Sequence, residues 1–190
     1  MLSMSDDEHQ PAEGSLRDRL QACQQGGLTG IPVDELLRYI REVAECLDAL
    51  HGQGLLYRDV KPDNILVLKG HAKLADFGMA KPTPVRAVVA GTPAYMAPEV
   101  WHVRSGAPSD QYSLALTYAE MRLGRRAFSG PDVTRDVTEV MRAHLEDAPE
   151  LAPLPEPEQQ VLLKALAKDP ERRYSSCLGF AQTLERVVAH

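Results

Sequence analysis

The 190-residue sequence has only three cysteines, few aromatic residues and no long hydrophobic run. Cys23, Cys46 and Cys177 are odd in number and far apart, which argues against a disulfide framework and against a zinc-binding motif. Aromatic residues make up 5% of the chain, so we expect a core built mainly from leucine, valine and alanine. A reducing compartment fits these properties best, and we expect a cytoplasmic protein.

An excess of positive charge is also missing. The chain has 21 Lys and Arg against 27 Asp and Glu, a formal net charge of -6. Nucleic acids and anionic membranes bind to basic faces, so neither is expected as a partner. No apolar run approaches the roughly 18 residues of a membrane helix, and the acidic start around Asp6, Asp7 and Glu8 does not resemble a signal peptide.

The length and the apolar periodicity predict one mainly α domain. Residues 1–14 are polar and are expected to be a disordered lead to a domain over residues 15–190. Apolar residues recur with helical spacing between Pro32 and His51, which predicts a long helix there. Further helices are predicted after Ser15, from Ser109 or Asp110 to Leu123, and over 133–145, 158–167 and 176–188. The total is about seven helices with one or two small β-hairpins.

Three non-helical segments separate these helices. Short apolar runs at 65–68 and 72–74 flank Lys69 and Gly70, which predicts a hairpin. Residues 79–98 contain four prolines and several small residues, so we expect a long loop. Prolines recur between Pro149 and Pro157, which predicts a linker over residues 149–157. Long loops inside compact domains are usually functional or disordered.

Chemistry-bearing residues concentrate between Leu55 and Gly78. Asp59, Lys61 and Asn64 lie within six residues of one another, and Asp76 follows a predicted strand. Carboxylate and amide oxygens bind magnesium, a lysine can hold a transferring phosphoryl group, and a carboxylate can accept a hydroxyl proton. This spacing predicts magnesium-assisted phosphoryl transfer.

Three motifs in order give this segment a family resemblance. They read YRDVKPDN at 57–64, DFG at 76–78 and GTPAYMAPE at 91–99. They resemble the catalytic loop, magnesium loop and end of the activation segment of eukaryotic-type protein kinases. The lysine at 61 and the sequence of residues 91–99 resemble the Ser/Thr branch of this family, and the chain as a whole is similar to bacterial Ser/Thr kinases.

The resemblance implies ATP and Mg²⁺ as cofactors and assigns catalytic roles. Asp59 would accept or orient the proton of the substrate hydroxyl, Lys61 would stabilise the γ-phosphate, and Thr92 would contact both. Asn64 and Asp76 would bind magnesium, and Gly78 would let its loop turn. The implied cofactor-binding residues are Lys61, Asn64, Leu66, Asp76 and Gly78, with Leu66 in the apolar surface of the nucleotide cleft.

The resemblance also implies supporting roles. Arg58 would pair with a phosphorylated or acidic activation loop, Glu99 would pair with Arg173, and Asp110 would hold the catalytic-loop backbone. Tyr57 stands where most members have histidine and would pack against Phe77 without transferring a proton. The implied supporting set is Tyr57, Arg58, Phe77, Thr83, Glu99, Asp110 and Arg173, with Thr83 as a second threonine of the activation loop.

The resemblance covers nearly all of residues 15–190, but only the carboxyl-terminal lobe of a kinase. No Gly-x-Gly-x-x-Gly loop, no lysine in a Val-Ala-x-Lys strand and no helix with the partner glutamate precede Ser15. These parts align the phosphates of ATP in a complete kinase. We therefore expect a large lobe with the small lobe absent, and little or no activity from the isolated chain.

Two functions remain open from the sequence. The chain is either a Ser/Thr kinase lobe, with a protein substrate and a small lobe supplied by a mis-called start or a separate segment, or a silent kinase-like interaction module or gene remnant. Intact catalytic positions favour the first function, and the missing small lobe favours the second. An encoded glycine loop and lysine just upstream of Met1 would discriminate them.

Overall fold

The computed structural model describes residues 14–75, 81–82, 91–128 and 136–189, and their architecture is mainly α. In these ranges there are seven α-helices and two two-stranded antiparallel sheets. The helices are α1 (Leu16–Gln25), α2 (Val33–Gly52), α3 (Pro98–Trp101), α4 (Ala107–Leu123), α5 (Val137–Glu146), α6 (Glu156–Ala165) and α7 (Cys177–Val188). The strands are β1 (Leu55–Leu56), β2 (Ile65–Leu68), β3 (His71–Leu74) and β4 (Lys81–Pro82). The predicted fold class is confirmed.

Several predicted helix boundaries are wrong by a few residues. Helix α4 begins at Ala107, before Ser109 and Asp110, because the Gly106 N–H donates to Ser109 Oγ at 3.1 Å and thereby closes the first turn. Helix α6 covers Glu156–Ala165, so the linker predicted over 149–157 is shorter and Pro157 lies in a first helical turn. The short helix α3 was not predicted. Residues 133–135 of the helix predicted over 133–145 lie outside the described ranges.

Helix α4 lies at the centre of the core. Every residue from 109 to 121 is buried, and α2, α6 and α7 pack around the helix. The sequence predicted this position, because α4 carries apolar residues on nearly all sides, whereas a helix with one face in solvent is amphipathic. Within the described ranges, no helix combines the length and the apolar character that crossing a bilayer requires.

The first helix and the hairpin are joined at the start of the described chain. Ser15 and Asp18 form a reciprocal capping box on α1, as the sequence predicts for Ser15. The carbonyl of Gly14 accepts from the Val67 N–H at 2.9 Å, next to a bridge between Ser15 and Leu66. Residues 1–13 of the lead predicted over 1–14 lie outside the described ranges.

The hairpin has the turn that its sequence predicts. Strands β2 and β3 pair from Ile65 with Leu74 to Leu68 with His71. Lys69 and Gly70 have φ angles of 51° and 74°, the left-handed pair of a two-residue hairpin turn. The other sheet pairs β1 with β4 and was not specified from the sequence. The segment between β1 and β2 carries the predicted catalytic residues.

Replacing Gly124 with alanine should destabilise the protein by about 1–3 kcal/mol. Gly124 ends α4 with a φ of 70°, and an added Cβ would lie 2.0 Å from the Thr29 carbonyl oxygen. Gly52→Ala is the matched control, because a Cβ there meets nothing within 4 Å and φ is not positive. Urea unfolding should place Gly52→Ala near the parent. A Gly124→Ala protein as stable as that control would contradict the expectation.

A buried histidine joins α5 to α4. His144 is 1% exposed, its Nδ1 lies 3.0 Å from the Tyr112 hydroxyl, and its ring contacts that of Phe128. Burial, followed by the charge of Lys168, lowers the pKa of His144 to about 4, and Arg126 acts in the same direction. The imidazole is therefore neutral in the folded protein at neutral pH.

His144 should make stability fall with acidification. Its unfolded pKa lies near 6.5 and its folded pKa near 4, so the unfolded chain binds more protons between these values. The free energy of unfolding should drop by roughly 2 kcal/mol between pH 7 and pH 5 from this group. His144→Asn should be less stable at pH 7 but should lose less stability over that interval, by denaturant unfolding. Parallel pH profiles would contradict this role.

Candidate active site

The predicted catalytic loop follows β1 and starts with a buried tyrosine. The Tyr57 side chain is fully buried, and its hydroxyl donates to the carbonyl of Ala75 beyond β3. This bond ties the loop to the end of the hairpin. Phe77, the packing partner that the resemblance implies for Tyr57, lies outside the described residues.

Asp110 anchors the loop backbone, in the place that the resemblance implies. One carboxylate oxygen accepts from the Tyr57 N–H at 2.9 Å, and the other accepts from the Arg58 N–H at 2.8 Å. Arg58 has a φ of 72°, which is costly for a residue with a side chain and needs such support. Asp110 is 2% exposed on α4, so the loop is fixed to the centre of the core.

His51 completes this anchor and was not assigned a role from the sequence. Its Nε2 lies 2.8 Å from the Asp110 oxygen that also accepts from Tyr57. In the sequence His51 shows no metal-ligand spacing, which favours a surface or structural residue. Nothing in the sequence around His51 indicates a contact with Asp110, which lies 59 residues further along the chain.

Asp59, Lys61, Asn64 and Thr92 form one hydrogen-bonded cluster. Asp59 Oδ1 accepts from the Thr92 hydroxyl at 2.8 Å and from its N–H at 3.0 Å. Asp59 Oδ2 accepts from the Asn64 amide at 2.8 Å and lies 3.1 Å from Lys61 Nζ. Lys61 Nζ also donates to the Thr92 hydroxyl at 2.8 Å. The structure thus brings together the three predicted catalytic residues and one predicted metal ligand.

The carboxylate of Asp59 is held in its charged form. Partial burial alone would raise its pKa, but hydrogen bonds from Thr92 and Lys61 and the charge of Lys61 outweigh that effect. The net result is a pKa below the ordinary aspartate value. Asp59 is therefore an anion that can accept a hydrogen bond from an incoming hydroxyl at neutral pH.

Gly91 lets Thr92 approach the loop. Its φ is 124°, and an added Cβ would lie 2.8 Å from the carbonyl oxygen of Arg58. Only glycine suits both the backbone angle and this close approach. Two chain segments 33 residues apart, at Asp59 and Thr92, therefore meet as one unit.

The residues that the structure describes partly fit the cofactors that the resemblance implies. The Asn64 amide nitrogen donates to the carboxylate and to the backbone carbonyl of Asp59. These bonds use only the nitrogen, so the amide oxygen of Asn64 is available as a magnesium ligand. Leu66 is half-buried at the hairpin, as an apolar nucleotide surface requires. The predicted residues Asp76 and Gly78, and Thr83 of the activation loop, lie outside the described ranges.

The Glu99–Arg173 pair is buried below the site. Arg173 donates to both carboxylate oxygens of Glu99 at 2.8 Å, and its side chain is fully buried. Glu99 also accepts from Ser109 Oγ at 2.7 Å, and the guanidinium stacks over the Tyr112 ring. This pairing joins the end of the activation segment to the segment before α7, as the resemblance implies.

A second polar cluster was missed by sequence reasoning. Glu120 on α4 accepts from Arg17 on α1 and from the Tyr95 hydroxyl, both at 2.5 Å, and Arg17 also donates to the Tyr95 hydroxyl at 2.6 Å. Arg17 further reaches Asp63 at 3.5 Å. Burial, then the charge of Glu120, raises the pKa of Tyr95. The one indication of this cluster in the sequence was the charged residue Glu120 in a helix that is otherwise predicted to be buried.

Comparison with known proteins identifies the family to which this chain belongs. A sequence profile described as the protein kinase domain matches residues 10–187. The chain is 31% identical over 183 residues to serine/threonine-protein kinase Pkn1 of Myxococcus xanthus, covering 85% of this chain and 25% of that protein. It is 36% identical over 171 residues to serine/threonine-protein kinase PknF of Mycobacterium tuberculosis, covering 82% of this chain and 35% of the relative.

A eukaryotic relative matches over a shorter stretch. Ribosomal protein S6 kinase alpha-3 of Mus musculus is 40% identical over 136 residues, which cover 68% of this chain and 18% of the relative. The chain thus spans between about a fifth and about a third of the length of these relatives. Because the kinase profile matches nearly the whole chain, the chain belongs to the protein kinase family and resembles its Ser/Thr branch.

Proposed function

We propose that residues 15–190 form the carboxyl-terminal lobe of a Ser/Thr protein kinase. In this proposal the lobe transfers the γ-phosphate of ATP to a protein serine or threonine hydroxyl when a small lobe is supplied. The supporting observation is the cluster in which Thr92, Lys61 and Asn64 all bond to the carboxylate of Asp59. A structural aspartate needs no such convergence of a cation, a hydroxyl and an amide on a loop.

The cluster supplies an oriented proton acceptor. The substrate hydroxyl would donate to the Asp59 carboxylate, whose lowered pKa keeps it ionised. Thr92 accepts from Lys61 and donates to Asp59, so it fixes both side chains at once. Orientation of this kind accounts for a large share of catalysis in phosphoryl transfer, where the protein does little covalent chemistry.

The same residues can meet the nucleotide. The Lys61 side chain is part-exposed and would place positive charge beside the transferring group. Asn64 and Asp76 would hold the metal. Magnesium, when bound with ATP, supplies charge neutralisation on the phosphates. The remaining nucleotide contacts are assigned here to a small lobe, which is the second proposed partner beside the protein substrate.

The test is a fusion. A small lobe from a bacterial Ser/Thr kinase relative is joined ahead of Gly14, and phosphate transfer from labelled ATP to casein is measured with magnesium. The fusion should transfer phosphate well above its Asp59→Asn variant, while the unfused chain should transfer little. Thermal shift with magnesium and ATP reports separately whether nucleotide binds the folded protein.

Two results would overturn the proposal. A folded fusion that binds nucleotide but transfers no more than its Asp59→Asn variant would favour the silent interaction module. An unfused chain as active as the fusion would show that no small lobe is required.

A further inference from the structure

Three potential metal ligands from distant segments meet beside the loop anchor. Asp48 and His51 lie one turn apart on α2, and Cys177 is the first residue of α7. A carboxylate oxygen, a ring nitrogen and the sulfur of these residues all lie within 4.8 Å of one another. Asp48 and Cys177 have no role in the proposed phosphotransfer, and His51 contributes to it only through its contact with Asp110. Cys177 lies 126 and 129 positions after His51 and Asp48, so no local spacing in the sequence indicates this cluster.

The hydrogen bonds of His51 leave a lone pair facing an anion. Nε2 lies 2.8 Å from Asp110 Oδ2, an atom that only accepts, so Nε2 carries the ring proton. In the neutral ring Nδ1 is then unprotonated, and it lies 3.8 Å from Asp48 Oδ1. A metal ion placed between these two atoms could bind a lone pair of each.

The other ligands are fixed in place. Asp48 accepts from the N–H groups of Cys177 and Leu178, each at 2.9 Å, and the Cys177 side chain hydrogen-bonds to Asp48. Burial, then the charges of Asp48 and Asp110, raises the pKa of the Cys177 thiol, so a metal must displace its proton. Pairing of a ligand histidine with an outer carboxylate, here Asp110, is the usual way to orient such a ring.

A cleft gives access to this cluster. Its volume is about 260 Å³, and Asp48, His51, Gln111 and Cys177 line it. Cys177 itself is 1% exposed, whereas the side chains of His51 and Asp48 are 11% and 25% exposed, so solvent reaches the cluster mainly through the two residues on α2. The same cleft holds room for a water as a fourth ligand.

We propose that Asp48, His51 and Cys177 form a transition-metal site with Zn²⁺ as the fitting ion. Its ligands are Asp48 Oδ1, His51 Nδ1 and the Cys177 thiolate, with water from the cleft in the fourth position. Oxygen, nitrogen and thiolate ligands in a four-coordinate set suit Zn²⁺ and not Mg²⁺. On binding, the thiol proton passes to solvent, and His51 keeps the Nε2 proton directed at Asp110. This site does not rest on the proposed phosphotransfer.

The test uses Co²⁺ as a spectroscopic probe for the fully reduced 190-residue chain. One equivalent should give the intense visible bands of a four-coordinate ion and a thiolate-to-cobalt charge-transfer band, and one equivalent of Zn²⁺ should displace it. Cys177→Ala and His51→Gln should each weaken Zn²⁺ binding by at least about 100-fold, since even outer-shell losses cost about 10- to 100-fold. Cys46→Ala is the matched control and should bind as the parent does.

Circular dichroism of every variant reports whether it folds, and Cys177→Ser replaces Cys177→Ala if the latter does not. A band that survives in folded Cys177 variants, or that disappears in Cys46→Ala, would place the metal elsewhere and overturn the site. Failure of the folded parent to bind one Zn²⁺ would also overturn it.

Discussion

Replacing Asp59 with asparagine in the small-lobe fusion is expected to lower kcat by about 10²–10⁴-fold, the range that a positioned general base contributes. Asparagine keeps an oxygen for the Thr92 bonds but cannot accept a proton from a substrate hydroxyl. Its NH₂ group would also face the Asn64 amide and Lys61, which both direct donors at Asp59 Oδ2. Steady-state kinetics with casein and saturating ATP measure the effect.

Asp63→Asn is the matched control for this change. Asp63 lies in the same loop, but its side chain is 52% exposed and makes a 3.5 Å contact with Arg17. The same loss of charge there should change kcat by less than about ten-fold, because surface ion pairs contribute little. Equal losses in the two variants would mean that the charge of the loop matters and not the Asp59 cluster.

Replacing Glu99 with glutamine should lower the free energy of unfolding by about 3–5 kcal/mol, the cost of leaving one partner of a buried ion pair. The Arg173 side chain would remain fully buried with its charge uncompensated. Its other partners are the carbonyls of Pro108, Ala167 and Lys168, which carry no net charge. For a chain of this size the melting temperature should fall by roughly 6–20 °C.

Glu146→Gln provides the comparison. Glu146 pairs with Arg142 at 3.8 Å on α5, and both side chains are more than half exposed. The same substitution there should cost less than about 1 kcal/mol. Calorimetry or denaturant unfolding separates the two cases, and a Glu99→Gln protein that melts with Glu146→Gln would show that the buried pair is not needed for stability.

The sequence predicted the parts of this protein that are local in the chain. The capping box at Ser15, the periodicity of α2 and the Lys69-Gly70 turn each depend on neighbours within a few residues. Asp59, Lys61 and Asn64 lie together in the chain and carry a family motif. The start of α4 was placed late because the side chain of Ser109, although inside the helix, bonds back to Gly106.

Contacts between distant segments were not readable from the pattern. Arg17 and Glu120 are 103 residues apart, and Asp48 and Cys177 are 129 apart. A charged residue in a periodic helix predicts exposure, whereas Glu120 is 5% exposed and bound on both oxygens. The resemblance supplied the Glu99–Arg173 and Asp110 contacts, which the residues alone would not have named.

The burial of residues 109–121 of α4 ties the predicted catalytic loop to the interior of the described fold. Amide hydrogens in a helix with no wet face exchange only when the structure around them opens. Asp110, which accepts from the predicted catalytic loop, lies on this helix, so its carboxylate stays in place until the helix itself opens. We therefore expect the slowest-exchanging amides of the described residues to lie in α4, so that the predicted catalytic loop is held by the part of the fold that opens last.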